Sequence, residues 1–265
     1  METFTGYLRS ELRKNLSLPV FWVGAASVIG ISCFFATLNL GVINEIEALG
    51  AEAAGFDGSI DEQSPFEIVS DALLAASYQA SVMFVPVLVA LLAASEYQRG
   101  QWKITRLITG RWSIHVSAQI IAVMFYACLV TVGVSVVNAP ILLFGLPPHL
   151  AQELSFTLWA EVTTRTLLVT MVQATVSLAA VTTTKKAVPS LAIVVGLFLL
   201  AASGILNLVS HHAHNLLPLI GAKSFAFGRQ VDPNDPTIAG GALILCGWLL
   251  CAIIVIFVTN RRKVA

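Results

Sequence analysis

The chain has 265 residues, 57% of them hydrophobic and only 11% charged, and its mean hydropathy is +0.82. A soluble domain of this length could not cover its surface with so few polar groups, which excludes a water-soluble globular protein. The formal net charge of zero hides a strong segregation along the chain, and no nucleic-acid partner is expected.

Residues 1–18 read as a helix lying in the membrane interface. Phe4, Leu8, Leu12 and Leu16 fall near one face, with Arg9, Arg13 and Lys14 elsewhere on the wheel. Pro19 marks the turn into the first apolar stretch, 19–40, which is longer than a signal-peptide core and is read as a retained span. Five more stretches follow at 70–95, 113–137, 158–183, 187–209 and 239–259, each near the ~20 residues a helix needs to cross the hydrocarbon. The fold class is therefore all-α: one polytopic domain over 1–265 with six transmembrane helices. Cys33, Cys128, Cys246 and Cys251 all sit inside these stretches, so neither a disulfide framework nor a metal knuckle is indicated.

The first gap, 41–69, carries Glu45, Glu47, Glu52, Asp57, Asp61, Glu62 and Glu67 without a Lys or Arg, and no chemistry is assigned to it. The second, 96–112, is basic. As a helix it places Arg99, Lys103 and Arg106 on one face and Tyr97, Ile104 and Ile108 on the other. Glu153 lies in the third gap, Lys185 and Lys186 in the fourth, Asp232 and Asp235 in the fifth, and Arg261, Arg262 and Lys263 at the C-terminus. Nearly every cation thus lies in alternate gaps or at the two ends, and the positive-inside rule puts both termini in the cytoplasm.

Within the fourth span, Glu161 and Arg165 form an i, i+4 pair near the outer end, expected to act as a structural clasp. His211, His212 and His214 sit in the fifth gap and read as a solvated rim, because no fourth ligand has a spacing that closes a metal site. No metal is expected.

Two segments carry a family likeness. Leu8-Arg9-Ser10-Glu11-Leu12-Arg13-Lys14, followed by Phe21-Trp22, is one. The other is Glu96-Tyr97 and Gly100, followed by Arg106, Leu107 and Arg111, with Gln101 where Thr is usual and Gly110 where Pro is frequent. In these segments the chain resembles the permease subunits of ABC type-2 exporters, especially the small six-span permeases common in actinobacteria. The resemblance implies an N-terminal elbow helix, a half-transporter that pairs with an identical or different permease, and short re-entrant helices on the outer side within 210–237. It also implies a coupling helix in 96–112 that docks on a separate cytoplasmic ATP-binding subunit. Glu96, Tyr97, Arg99, Gly100, Trp102, Lys103, Arg106, Leu107 and Arg111 would form that docking surface.

No Walker A loop occurs; the nearest string, Gly221-Ala222-Lys223-Ser224, lacks its spacing. This chain is expected to bind no cofactor and to be no enzyme, with ATP and Mg held by the partner subunit. In the family the second and fifth spans line the transport path, which points to Ser77, Tyr78, Ser81, Phe84 and Pro86, and to Phe198, Ser203 and Asn207. That mostly apolar lining suits a hydrophobic or amphipathic cargo such as a drug, a lipid-like molecule or a peptide. The expected location is a bacterial cytoplasmic membrane, in contact with membrane lipid. A rival class is the integral membrane protease or amidase of the CAAX type, for which Glu161 and Arg165 supply half of an EExxxR motif; a sensor or immunity protein is another.

Overall fold

The computed structural model describes residues 4–50, 63–98, 100, 112–228 and 234–261, and among these the chain is helical throughout. In order the helices are α1 Phe4–Leu16, α2 Pro19–Leu49, α3 Pro65–Gln98, α4 Trp112–Gly145, α5 Pro148–Ala151, α6 Phe156–Thr184, α7 Ala187–Ala202, α8 Ile205–Val209, α9 His211–Asn215, α10 Pro218–Phe227 and α11 Ile238–Arg261. Five of them, α2, α3, α4, α6 and α11, are long and apolar enough to cross a membrane, consistent with a multi-pass membrane protein.

The expected spans are displaced in instructive ways. α2 does not stop at residue 40 but continues to Leu49, so its 31 residues run for about 46 Å. Glu45, Glu47, Ala48 and Leu49 are good helix formers, and Ile43 packs against a core cluster. Gly50, at φ +81°, then ends the helix with its N–H donating to the Ile46 carbonyl. α3 starts at Pro65, ahead of residue 70, because Ser64 and Glu67 form a reciprocal capping box: the Glu67 carboxylate accepts from the Ser64 N–H at 2.9 Å and the Ser64 Oγ accepts from the Glu67 N–H at 3.4 Å. α4 runs through Pro140 to Gly145, past the expected end at residue 137, carried by fully buried Asn138 and Leu142.

The expected fifth span, 187–209, is not one helix. α7 has 16 residues, about 24 Å and short of the ~30 Å hydrocarbon core. It ends at Ser203 and Gly204, the latter at φ +64°, a left-handed conformation that suits glycine, and α8 begins afresh beyond it.

α3 and α6 form the centre. Of their apolar windows 72% and 78% are buried, against 22% for α2 and for α11, so the latter two are peripheral and present Trp22, Val23, Leu243 and Leu250 outward. The centre is built from small and hydroxyl-bearing residues, as expected where lipid tails supply no hydrophobic drive between helices. Ser32 on α2 donates to the Ala76 carbonyl on α3 at 2.8 Å and accepts from Asn138 on α4, while Ser135 on α4 pairs with Thr163 on α6. α10 lies against α11 through two glycines: a Cβ at Gly241 would stand 2.6 Å from the Gly221 carbonyl oxygen.

Candidate functional site: a buried ion cluster joining three helices

α1 turns Leu8, Leu12 and Leu16 onto the main core cluster, which includes Phe21, Leu88, Val123 and Tyr126. The same packing sinks Glu11 and Asn15, leaving them 4% and 6% exposed. A buried carboxylate needs partners. Lys14 supplies the first, its Nζ lying 2.7 Å from Glu11 Oε2 and 2.9 Å from Glu96 Oε1 at the end of α3. From α4, His115 Nδ1 stands 3.6 Å from Glu11 Oε1, and Gln119 donates to Glu96 Oε2 at 3.5 Å. The Tyr126 hydroxyl reaches the Glu11 and Leu12 carbonyl oxygens, each at 3.1 Å, and Asn15 Nδ2 donates to the Glu11 carbonyl at 3.2 Å.

One ammonium therefore bridges two carboxylates. Burial alone would pull the Lys14 pKa down, yet Glu96 and Glu11 beside it hold the ammonium above the ordinary lysine range. The fourth helix boundary joins in as well. Lys185, at φ +57° in the turn between α6 and α7, places its ammonium 5.8 Å from the centre of the Tyr97 ring. The crevice between Asn15, Glu96, Gln119 and Tyr126 measures about 10 Å³, room for a water at most, so the cluster has no place for a substrate. Its chemistry is mechanical: it ties α1, α3 and α4 together immediately before the basic segment that follows α3.

Of the residues expected to form the docking surface, Glu96 and Tyr97 make up the last turn of α3, and Gly100 follows at φ +68°. Arg99, Trp102, Lys103, Arg106, Leu107 and Arg111 lie outside the described residues. The cluster itself draws on residues that sequence reading did not group. Glu11 and Lys14 were visible only as part of a motif, and His115 and Gln119 as one i, i+4 polar pair at the start of an apolar helix.

The expected path residues separate into two sets. Ser77, Tyr78, Ser81 and Pro86 are buried inside the bundle, Phe84 is half-buried, and the three hydroxyls find no hydrogen-bond partner among the described residues. On the other set, Phe198 packs toward the second core cluster, whereas Ser203 and Asn207 are exposed. Tyr78 of the first set and Phe198 of the second thus share one cluster.

At the opposite end of the bundle, Glu161 and Arg165 are paired, and the Arg165 guanidinium also occupies the space where a Cβ at Gly228 would stand. Gly228 ends α10, so the cation sits at the negative end of that helix and pins it to α6. His211 Nδ1 is 2.6 Å from Asn207 Oδ1 and its Nε2 is 2.9 Å from the Asn234 carbonyl; His212 is exposed and His214 is buried. Lys223 pairs with Asp235 at 3.1 Å. Among the described residues no group of three or more His, Cys, Asp or Glu side chains could hold a metal ion.

No protein-family model matches the chain, and comparison with curated proteins finds no relative.

Proposed function

We propose that this chain is the membrane-spanning permease subunit of an ATP-driven ABC exporter. It works in a bacterial cytoplasmic membrane with both termini in the cytoplasm and moves a hydrophobic or amphipathic substrate. The observation that carries this reading is the meeting of its two family-like segments: Glu11 and Lys14 of the first join Glu96 of the second in one buried cluster. Such a cluster has a mechanical use where motion enters the bundle from a cytoplasmic partner.

In this reading α1 is the elbow helix and 96–112 is the coupling segment. ATP and Mg reside on the partner subunit, and closure of an ATP-binding pair displaces 96–112. Because Lys14 holds Glu96, α1 and the end of α3 move as one body, and α3 carries the displacement to α6, its most extensive neighbour. α7 and α8 together make a sixth, broken crossing, and α9 and α10 are the outer re-entrant helices. Two such permeases, identical or different, assemble with two ATP-binding subunits.

The test is charge reversal at Arg99, Lys103 and Arg106 together. Membrane insertion should persist, since other cations still fix topology, while copurification with the ATP-binding subunit or coupling of ATP hydrolysis to export is lost. Full coupling in the triple variant would refute the reading.

A further inference from the structure

We propose that the outer stripe of α1 binds the phosphate headgroup of an anionic phospholipid through Arg9 and Arg13. An open groove of about 510 Å³ runs along this stripe, lined by Gly6, Arg9, Ser10, Arg13, Lys14 and Ser17. The charges of α1 divide sharply. Glu11 and Lys14 are spent in the buried cluster, whereas Arg9 and Arg13 are exposed, with no carboxylate at ion-pair distance among the described residues.

Arg9 and Arg13 are spaced i, i+4, which sets their Cβ atoms about 5–6 Å apart, so both guanidinium groups reach a single phosphate. Ser10 adds a hydroxyl donor on the same stripe, while the Ser17 hydroxyl donates to the Lys14 carbonyl at 2.7 Å. The surroundings select a lipid rather than a soluble anion. The groove ends at Ser17, and the adjoining Leu16 carbonyl accepts from the Trp22 indole N–H at 2.8 Å. Trp22 is 54% exposed, as an aromatic at headgroup level is, and is flanked by exposed Val20 and Val23. A phosphate on Arg9 and Arg13 thus has an interfacial aromatic beside it and an apolar surface for acyl chains beyond. The site rests only on the membrane location and not on the transport reading.

The full-length chain in neutral detergent is titrated with phosphatidylglycerol, with phosphatidylcholine of the same acyl chains, and with inorganic phosphate, reading bound lipid by native mass spectrometry and protection by thermal unfolding. Phosphatidylglycerol should bind and protect preferentially. Arg9→Gln with Arg13→Gln should weaken it about thirtyfold, the loss that two cations near a membrane surface correspond to. Arg261→Gln, which removes an exposed cation from α11, should leave affinity unchanged. Circular dichroism checks that the double variant is folded, which its exposed positions favour. Equal binding of phosphatidylcholine, equal protection by inorganic phosphate, or unchanged lipid affinity in the double variant would each overturn the site. Retained lipid affinity with lost copurification of an ATP-binding subunit would make the stripe a protein-docking face instead.

Discussion

Replacing Lys14 by Met tests the buried cluster most severely, because the side chain keeps its apolar stem and loses the ammonium with its charge and hydrogen-bond donors. Glu11 and Glu96 would then be left facing each other, 5% and 7% exposed in their side chains, without the ammonium that lies 2.7 and 2.9 Å away. Removing one partner of a fully buried pair costs about 3–5 kcal/mol, and of a surface pair about 0.2–1 kcal/mol. Lys14 is 29% exposed while its partners are buried, which places the expected loss between these limits, at about 2–3 kcal/mol. The assay is reversible unfolding in mixed micelles, run as a double-mutant cycle with Glu96→Gln. The double variant should recover at least about 1 kcal/mol of the loss, since the neutral amide no longer needs a cation. The pH dependence has a defined sign: a raised Lys14 pKa means its contribution is intact below the ordinary value of 10.5 and fades only above it. A loss below about 0.5 kcal/mol, or strict additivity with Glu96→Gln, would refute the claim that this cation holds α1 to α3.

Gly241→Ala should destabilise the bundle by about 1–3 kcal/mol, because its Cβ would meet the backbone of Gly221 and Phe225, whereas Gly196→Ala, with open space around it, should be neutral or slightly stabilising; thermal unfolding of both variants separates the two cases. Arg165→Ala should lower stability more than Glu161→Gln, since the guanidinium also covers Gly228 and the end of α10, and exchanging the two residues should restore only part of the loss. Equal effects of the two single variants would show that the ion pair alone matters. A cysteine at Glu45 should react with an impermeant thiol reagent from outside intact cells and one at Lys186 should not, in a background where the four native cysteines are replaced; the reverse pattern would invert the topology.

Hydropathy made the long helices legible, because a membrane helix must bury or immerse its apolar side chains along its whole length. Their ends were less so. The continuation of α2 into acidic residues and of α4 through Pro140 depends on tertiary contacts by Ile43, Asn138 and Leu142, which no local pattern displays. The start of α3 was readable in principle, since Ser64-Pro65-Phe66-Glu67 has the spacing of a capping box with Pro at the first helical position. Gly204 likewise marked the break after α7, although an apolar run on either side masked it. The buried cluster was opaque for a different reason: Glu11, Lys14, Glu96, His115 and Gln119 come from three helices, and only the packing of Leu8, Leu12 and Leu16 brings them to one place.

The most direct measurement of the proposed role is transport itself, in proteoliposomes containing this chain and a candidate cytoplasmic ATP-binding subunit. On the proposed reading, accumulation of an amphipathic probe should require ATP and both subunits, and should fall in Lys14→Met at equal folded amount, because Lys14 would no longer tie α1 to the end of α3. Metal-dependent peptide hydrolysis by the chain alone, abolished by Glu161→Gln and indifferent to ATP, would contradict it.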